Sequence, residues 1–173
     1  MRYALKRGWR RTGHAAPGAA PAHVSASHDK VALPSVAIAH DLDWPRYVAL
    51  CNAYYEKREF RVEPISSDAD GCLEARLYFR KLPESVAILR YEARTGDDAG
   101  LEAMGALCEI MARNRVARGI LHSQHRFGAE TVELAHLSRI QLVSRDDLVS
   151  KLARLPLDMQ RELLEVAAHP VAT

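Results

Sequence analysis

Glu74, Arg90 and Glu92 are the residues whose types and spacing could do chemistry. Leu73, Ala75, Leu77 and Phe79 alternate with Glu74, Arg76, Tyr78 and Arg80, residues 81–85 supply a turn, and Val86 to Ala93 (VAILRYEA) return. Period-two alternation makes this a hairpin, with Glu74 on its first strand. Arg90 and Glu92 stand two apart on the second strand and so share a face. Brought together, the three would form a carboxylate pair with an adjacent cation. Arginine stays protonated to a pKa above ~12 and cannot shuttle a proton. It can still hold a phosphate through two parallel hydrogen bonds. The alternative is a half-buried salt-bridge cluster with no chemistry.

Other residues offer less. His122 and His125 could share a metal, but a third ligand in register is missing, and an ordinary strand-end histidine is the preferred reading of His122. Ser123 has no neighbouring base in the sequence to activate it. Arg113, Arg115 and Arg118 gather where a helix should end, a place where cations meet the helix dipole favourably. With Arg126 they could also contact phosphates. Glu162 and Glu165 read as a solvated helix face. Cys51, Cys72 and Cys108 form no CxxC pair. Their odd number and wide separation point to reduced thiols in a cytoplasmic protein, each filling a small core site. Gly-rich phosphate loops are absent.

The elements that must position these residues follow from periodicity and turn chemistry. Asp43 is a good helix N-cap and Pro45 fits a first turn, so a helix is expected from Trp44 to about Lys57, with Tyr47, Leu50, Cys51 and Tyr54 on one face. Phe60, Val62 and Pro64 alternate with charged residues as a first strand would, and Ser66 to Gly71 reads as a turn. The first half of Val86 to Ala93 is apolar on both faces, which suits a central strand. A helix with Leu101, Met104, Leu107, Cys108 and Met111 comes next, then a strand at Ile120 and Leu121. A helix over about Gly128 to Leu137 precedes the strand Ile140 to Val143. Ser144 or Asp146 then caps another helix, which Pro156 ends. A last amphipathic helix runs from Asp158 to about Ala167. Three consecutive strands followed by β-α-β-α units imply a mixed sheet flanked by helices, an α/β fold.

Composition sets outer limits. The 173 residues are 48% hydrophobic and 27% charged, which are globular values. No apolar run approaches the ~20 residues of a membrane span. The net charge of +2 is unevenly spread. Up to Ala39, Arg2, Lys6, Arg7, Arg10, Arg11 and Lys30 face one acid, Asp29, in an Ala/Pro/Gly-rich stretch without periodicity. Residues 1–40 are therefore expected to be a disordered basic tail. The remainder has 18 basic and 21 acidic residues. A domain that grips duplex DNA by bulk charge is usually basic overall, so any phosphate contact must come from a local cluster or from the tail.

Several stretches, in order, resemble the Mrr-type restriction endonuclease domain, a branch of the restriction endonuclease-like PD-(D/E)xK superfamily. DLDWPRYVALCNAYYEKREFRVEP is similar to its opening helix and strand. Asp70-Gly71-Cys72-Leu73-Glu74 resembles its D-G-G-I-D turn and strand, and AILRYEA its "hhhQxK" strand. GILHS, with Phe127 and Ala135, resembles "GxhVT…F…A", and IQLVSRDDL resembles the closing "IxLIDxxxL". The resemblance implies a core of about five strands in a mixed central sheet, flanked by helices, over residues 41–155, with 156–173 as a C-terminal helix and tail.

It also implies metal-dependent hydrolysis of phosphodiesters in modified or foreign DNA, in the cytoplasm of a bacterium, with Mg²⁺ as the ion. DNA would be the partner, alongside a second copy of the chain or a partner subunit. Carried over by position, the family's metal-binding aspartate falls on Glu74. Its Gln or Glu falls on Arg90, its lysine on Glu92 and its helix glutamate near Val48, while Asp70 matches a turn residue. With lysine replaced by Glu92, the expectation is impaired or lost catalysis. The rivals are a non-catalytic scaffold that binds protein through the C-terminal helix, and a small-molecule enzyme using the Glu74 cleft.

Overall fold

A computed structural model describes residues 38–169. The basic tail expected over residues 1–40 lies almost wholly outside the described residues. Helix α1 spans Trp44–Lys57; the Asp43 carboxylate accepts from the Arg46 N–H at 3.1 Å, and proline occupies the first turn. Three antiparallel strands follow: β1 Phe60–Ser67, β2 Leu73–Phe79 and β3 Ser85–Glu92. Helix α2 (Asp97–Asn114) crosses to β4 (Gly119–Ser123), and α3 (Ala129–Ser138) to β5 (Ile140–Val143), both strands joining in parallel. Helices α4 (Arg145–Leu152) and α5 (Leu157–Ala168) complete the described chain. The sheet order is β1-β2-β3-β4-β5. This is the mixed five-stranded α/β sheet expected.

Strand β3 is central, and Ala87 to Glu92 are all buried. Its alternate residues serve two cores. Ala87, Leu89 and Tyr91 join α1, α4 and α5 on one face, whereas Ile88 joins Met104 and Leu107 of α2 and Ala135 of α3 on the other. Helix α5 lays Leu163 and Ala167 into the first core, and Lys57 pairs with Glu162 across the two helices.

Three local features set the site. Strand β1 runs two residues past its expected end, so Ser66 and Ser67 pair with Glu74 and Leu73 and the turn begins at Asp68. The register shifts between Pro64 and Ser66, where proline offers no N–H to the ladder. The Asp68 carboxylate then accepts the N–H groups of Asp70 at 3.1 Å and Cys72 at 2.8 Å, the side-chain-closed turn of which aspartate is capable. Gly71 takes φ +80°, and its carbonyl accepts Trp44 Nε1 at 2.8 Å, which ties the amino end of α1 to this turn.

Candidate functional site

Glu74 and Arg90 are directly paired across the β2–β3 ladder. By alternation they and Glu92 share the α2 face with Arg76, whose guanidinium donates to Asn114 Oδ1 at 2.7 and 3.1 Å. Arg90 lies between the two acids. Its Nη1 donates to Glu74 Oε1 at 2.5 Å and its Nη2 to Glu92 Oε2 at 3.4 Å, with Asp68 Oδ2 at 3.9 Å. The cluster is nearly dry: the side chains of Arg90, Glu92 and Glu74 are 7%, 2% and 16% exposed. The Arg90 Nε is buried without a hydrogen-bond partner among the described residues.

Four residues not assigned to the site from the sequence complete the cluster. Arg94 grips Glu92 with a fork, Nε to Oε1 at 2.9 Å and Nη2 to Oε2 at 3.1 Å, and its backbone N–H reaches Oε1 at 3.0 Å. Its Nη1 donates to Glu102 at 2.7 Å. The Cys72 thiol donates to Glu92 Oε1 at 3.0 Å, and the Ser66 hydroxyl to Glu74 Oε2 at 2.5 Å. Asp68 is the fourth. Arg94 continues the alternation Arg90-x-Glu92-x-Arg94, the one signal in the sequence that could have found it.

Electrostatics follow from these contacts. Burial alone would push the Glu92 carboxyl up, but hydrogen bonds from Arg94 and Cys72 outweigh it and hold the carboxyl below its ordinary range. Burial pushes the Cys72 thiol up, and its bond to the Glu92 carboxylate adds to this. Glu92 is thus an ionised acceptor whose roughly four lone-pair directions are already taken.

A divalent ion needs free carboxylate oxygens, several of them and convergent. Glu74 and Glu92 were the carboxylates expected to hold one. As arranged, both give their oxygens to Arg90, Arg94, Cys72 and Ser66. Among the described residues no group of three or more His, Cys, Asp or Glu side chains is placed to hold a metal ion. The donor set therefore does not fit the ion in this arrangement. Val48, near which the resemblance set the family's helix glutamate, is buried in the core on the opposite face.

The remaining candidates separate. Arg126 lies beyond the end of β4, lining a small cleft with Glu92, Arg94 and His125, and pairs with Asp146 at 2.9 Å. Arg113, Arg115 and Arg118 are exposed at the other end of the sheet, where β4 begins and the Arg118 carbonyl accepts the Ile88 N–H at 3.0 Å. The four arginines named as DNA contacts thus occupy two ends of the domain.

His122 faces the α1 core, with Nε2 2.8 Å from Tyr55 Oη and its ring stacked on Tyr91 at 5.1 Å. Burial pulls its pKa down to about 3, so it is neutral. His125 is exposed and apart from it. Ser123 Oγ accepts the His125 N–H at 3.0 Å rather than meeting a base. Cys51 and Cys72 are buried, as expected, but Cys108 is exposed. The stripe of α2 centres on Met104, Leu107 and Met111, and one residue beyond Leu107 turns the side chain ~100° away from it.

A family profile described as "Restriction endonuclease" of the Mrr catalytic type matches residues 39–152. The chain belongs to the Mrr-type restriction endonuclease family. The match covers most of the described fold, from five residues before α1 to the end of α4. Among solved structures, the DNA modification-dependent restriction endonuclease AspBHI is similar in fold, with a TM-score of 0.50 at 15% identity over 81% of this chain. The similar region is 41% of that protein, so this chain spans less than half its length. Among curated proteins no relative matches. No helix of the described residues is long and apolar enough to cross a membrane.

Proposed function

We propose that this Mrr-type domain associates with DNA but hydrolyses phosphodiesters poorly or not at all. The family carries the association: the fold is one that places a hairpin of carboxylates and a cation against a DNA phosphate. The single observation behind the loss of hydrolysis is Arg90, lodged between Glu74 and Glu92 on the face where family members hold their ion. A metal site lowers the pKa of an attacking water and stabilises the phosphate. Here the carboxylates are neutralised by guanidinium groups, and the lysine position carries the negative Glu92.

At this end of the sheet Arg126, paired with Asp146 but 87% exposed, is the cation open to a phosphate backbone, beside Arg94, which is a third exposed. The rival scaffold reading, in which the C-terminal helix recruits a protein, has less support. Helix α5 directs Leu163 and Ala167 into the domain's own core.

The test is nicking of supercoiled plasmid in Mg²⁺ or Mn²⁺, beside duplex binding by mobility shift. The expected result is a salt-sensitive shift with no metal-dependent nicking. Metal-dependent nicking abolished by Glu74→Ala would overturn the reading. Absence of any shift would favour the scaffold.

A further inference from the structure

At the end of the sheet away from Glu92, β3, β4 and β5 begin together under α1 and α4. A cleft of about 410 Å³ opens there. Arg58, Arg118, Arg139 and Lys151 line it, and no carboxylate does. Its apolar walls include Tyr54, Phe60 and Ala87. Four cations line a cleft that no carboxylate lines, and an anion joining them would relieve their mutual repulsion.

Lys151 is half-buried, and its ammonium makes no ion pair or hydrogen bond among the described residues. The nearby Asp147 carboxylate is engaged elsewhere, accepting from the Ser144 N–H at 2.9 Å and hydroxyl at 2.7 Å in the cap of α4. Arg118 and Arg139 likewise have no ion-pair partner among the described residues. The Arg58 guanidinium meets the Tyr54 hydroxyl and ring, at 3.4 and 5.6 Å, and no carboxylate among the described residues.

We propose that this cleft is a binding site for a mononucleotide-class ligand, its phosphate held by Lys151, Arg118 and Arg139 and its base against Tyr54 and Phe60. The volume lies within the ~300–1,000 Å³ of ordinary small-ligand sites. Guanidinium groups match phosphate oxygens two at a time, and aromatic faces accept a planar base.

The strands place the cleft apart from the Glu74–Arg90–Glu92 cluster. From Gly119 to Ser123 the chain advances about 13 Å at 3.3 Å per residue, and those residues pair with Ile88 and Glu92 respectively. A duplex seated at Glu92 therefore approaches from the opposite end. Burial pulls the Lys151 ammonium below its ordinary range, and a bound phosphate would restore it.

Calorimetric titration of the full chain with AMP, adenosine, inorganic phosphate and a 20-base-pair duplex tests this. AMP should bind, phosphate should bind at least tenfold more weakly, and adenosine should give no heat. Lys151→Gln should weaken AMP at least tenfold, and Arg139→Gln, at an exposed position, several-fold. Glu130→Gln on α3 should change nothing. Thermal melts of each variant separate lost binding from lost folding. No AMP binding at millimolar concentration, or unchanged affinity in folded Lys151→Gln or Arg139→Gln, would overturn the proposal. Displacement of AMP by the duplex, or phosphate binding as tightly as AMP, would also overturn the nucleotide assignment.

Discussion

Arg90 and Glu74 face each other from paired positions of β2 and β3, with 2.5 Å between Nη1 and Oε1. The pairing sits in a nearly dry setting, and that decides its energetics. An exposed ion pair contributes little. A buried one is costly to break, because removing one partner leaves the other charged and desolvated.

Arg90→Ala should therefore destabilise the domain by about 3 kcal/mol in urea unfolding, since it strips Glu74 of its cation and thins the shell around Glu92. Arg90→Ala with Glu74→Ala should recover part of that loss. A coupling energy on the order of 1–3 kcal/mol in the double-mutant cycle is the expected reading. Additive losses would show that the two side chains do not interact in solution.

Gly119 opens β4 where no side chain fits. A Cβ there would lie 2.6 Å from Met111 Sδ and 3.0 Å from Ile140 Cγ1 and Leu107 Cδ2. Gly119→Ala should cost about 1–3 kcal/mol through overpacking of the α2 core. A neutral result in thermal unfolding would mean that Met111 swings aside freely.

The neutral His122 gives stability a pH dependence of definite sign. Its folded pKa of about 3 lies below the unfolded value near 6.5, so the unfolded chain binds the extra proton between those limits. Stability is full above pH 6.5 and falls as the pH drops, by about 2 kcal/mol from pH 6.5 to pH 5. Below the ordinary carboxylate range, protonation of Glu92 adds to the loss, because its folded pKa is depressed as well. Urea titrations of the parent and His122→Asn at pH 5 and pH 7 check this, and the variant should lose most of the difference between them.

Much of the site was legible because local rules determine it. Asp43 and Ser144 cap the helices assigned to them, and two-residue alternation with a short turn brings Glu74 opposite Arg90. What was missed depends on pairing beyond the hairpin. Asp68 enters the cluster because β1 continues through Ser66 and Ser67 past a proline irregularity, which turn chemistry alone does not reveal. Arg94 lies just past the end of β3, and only carrying the alternation Arg90-x-Glu92-x-Arg94 beyond the strand would have found it. Arg126 is separated from Arg113, Arg115 and Arg118 because β4 runs between Arg118 and Arg126, which the strand expected at Ile120 and Leu121 already implied. Cys108 shares an apolar sequence run with Leu107 but not its face of α2.

Restoring the family's residues should move the site toward metal. Glu92→Lys with Arg90→Gln frees Glu74 and returns a cation to the strand position that a phosphate would meet. The double variant should nick supercoiled plasmid in Mn²⁺ more than the parent does, with Arg94 released from its fork on Glu92. Equal, background-level nicking by both would show that these two positions alone do not restore the site.

The most direct measurement is Mn²⁺ binding to the unmodified chain by electron paramagnetic resonance titration at neutral pH. With Glu74 and Glu92 committed to Arg90 and Arg94, the expected result is no site tighter than the millimolar range, and the same curve for Glu74→Ala. A stoichiometric micromolar site that disappears in Glu74→Ala would contradict the account, showing that Arg90 yields the carboxylates to the ion.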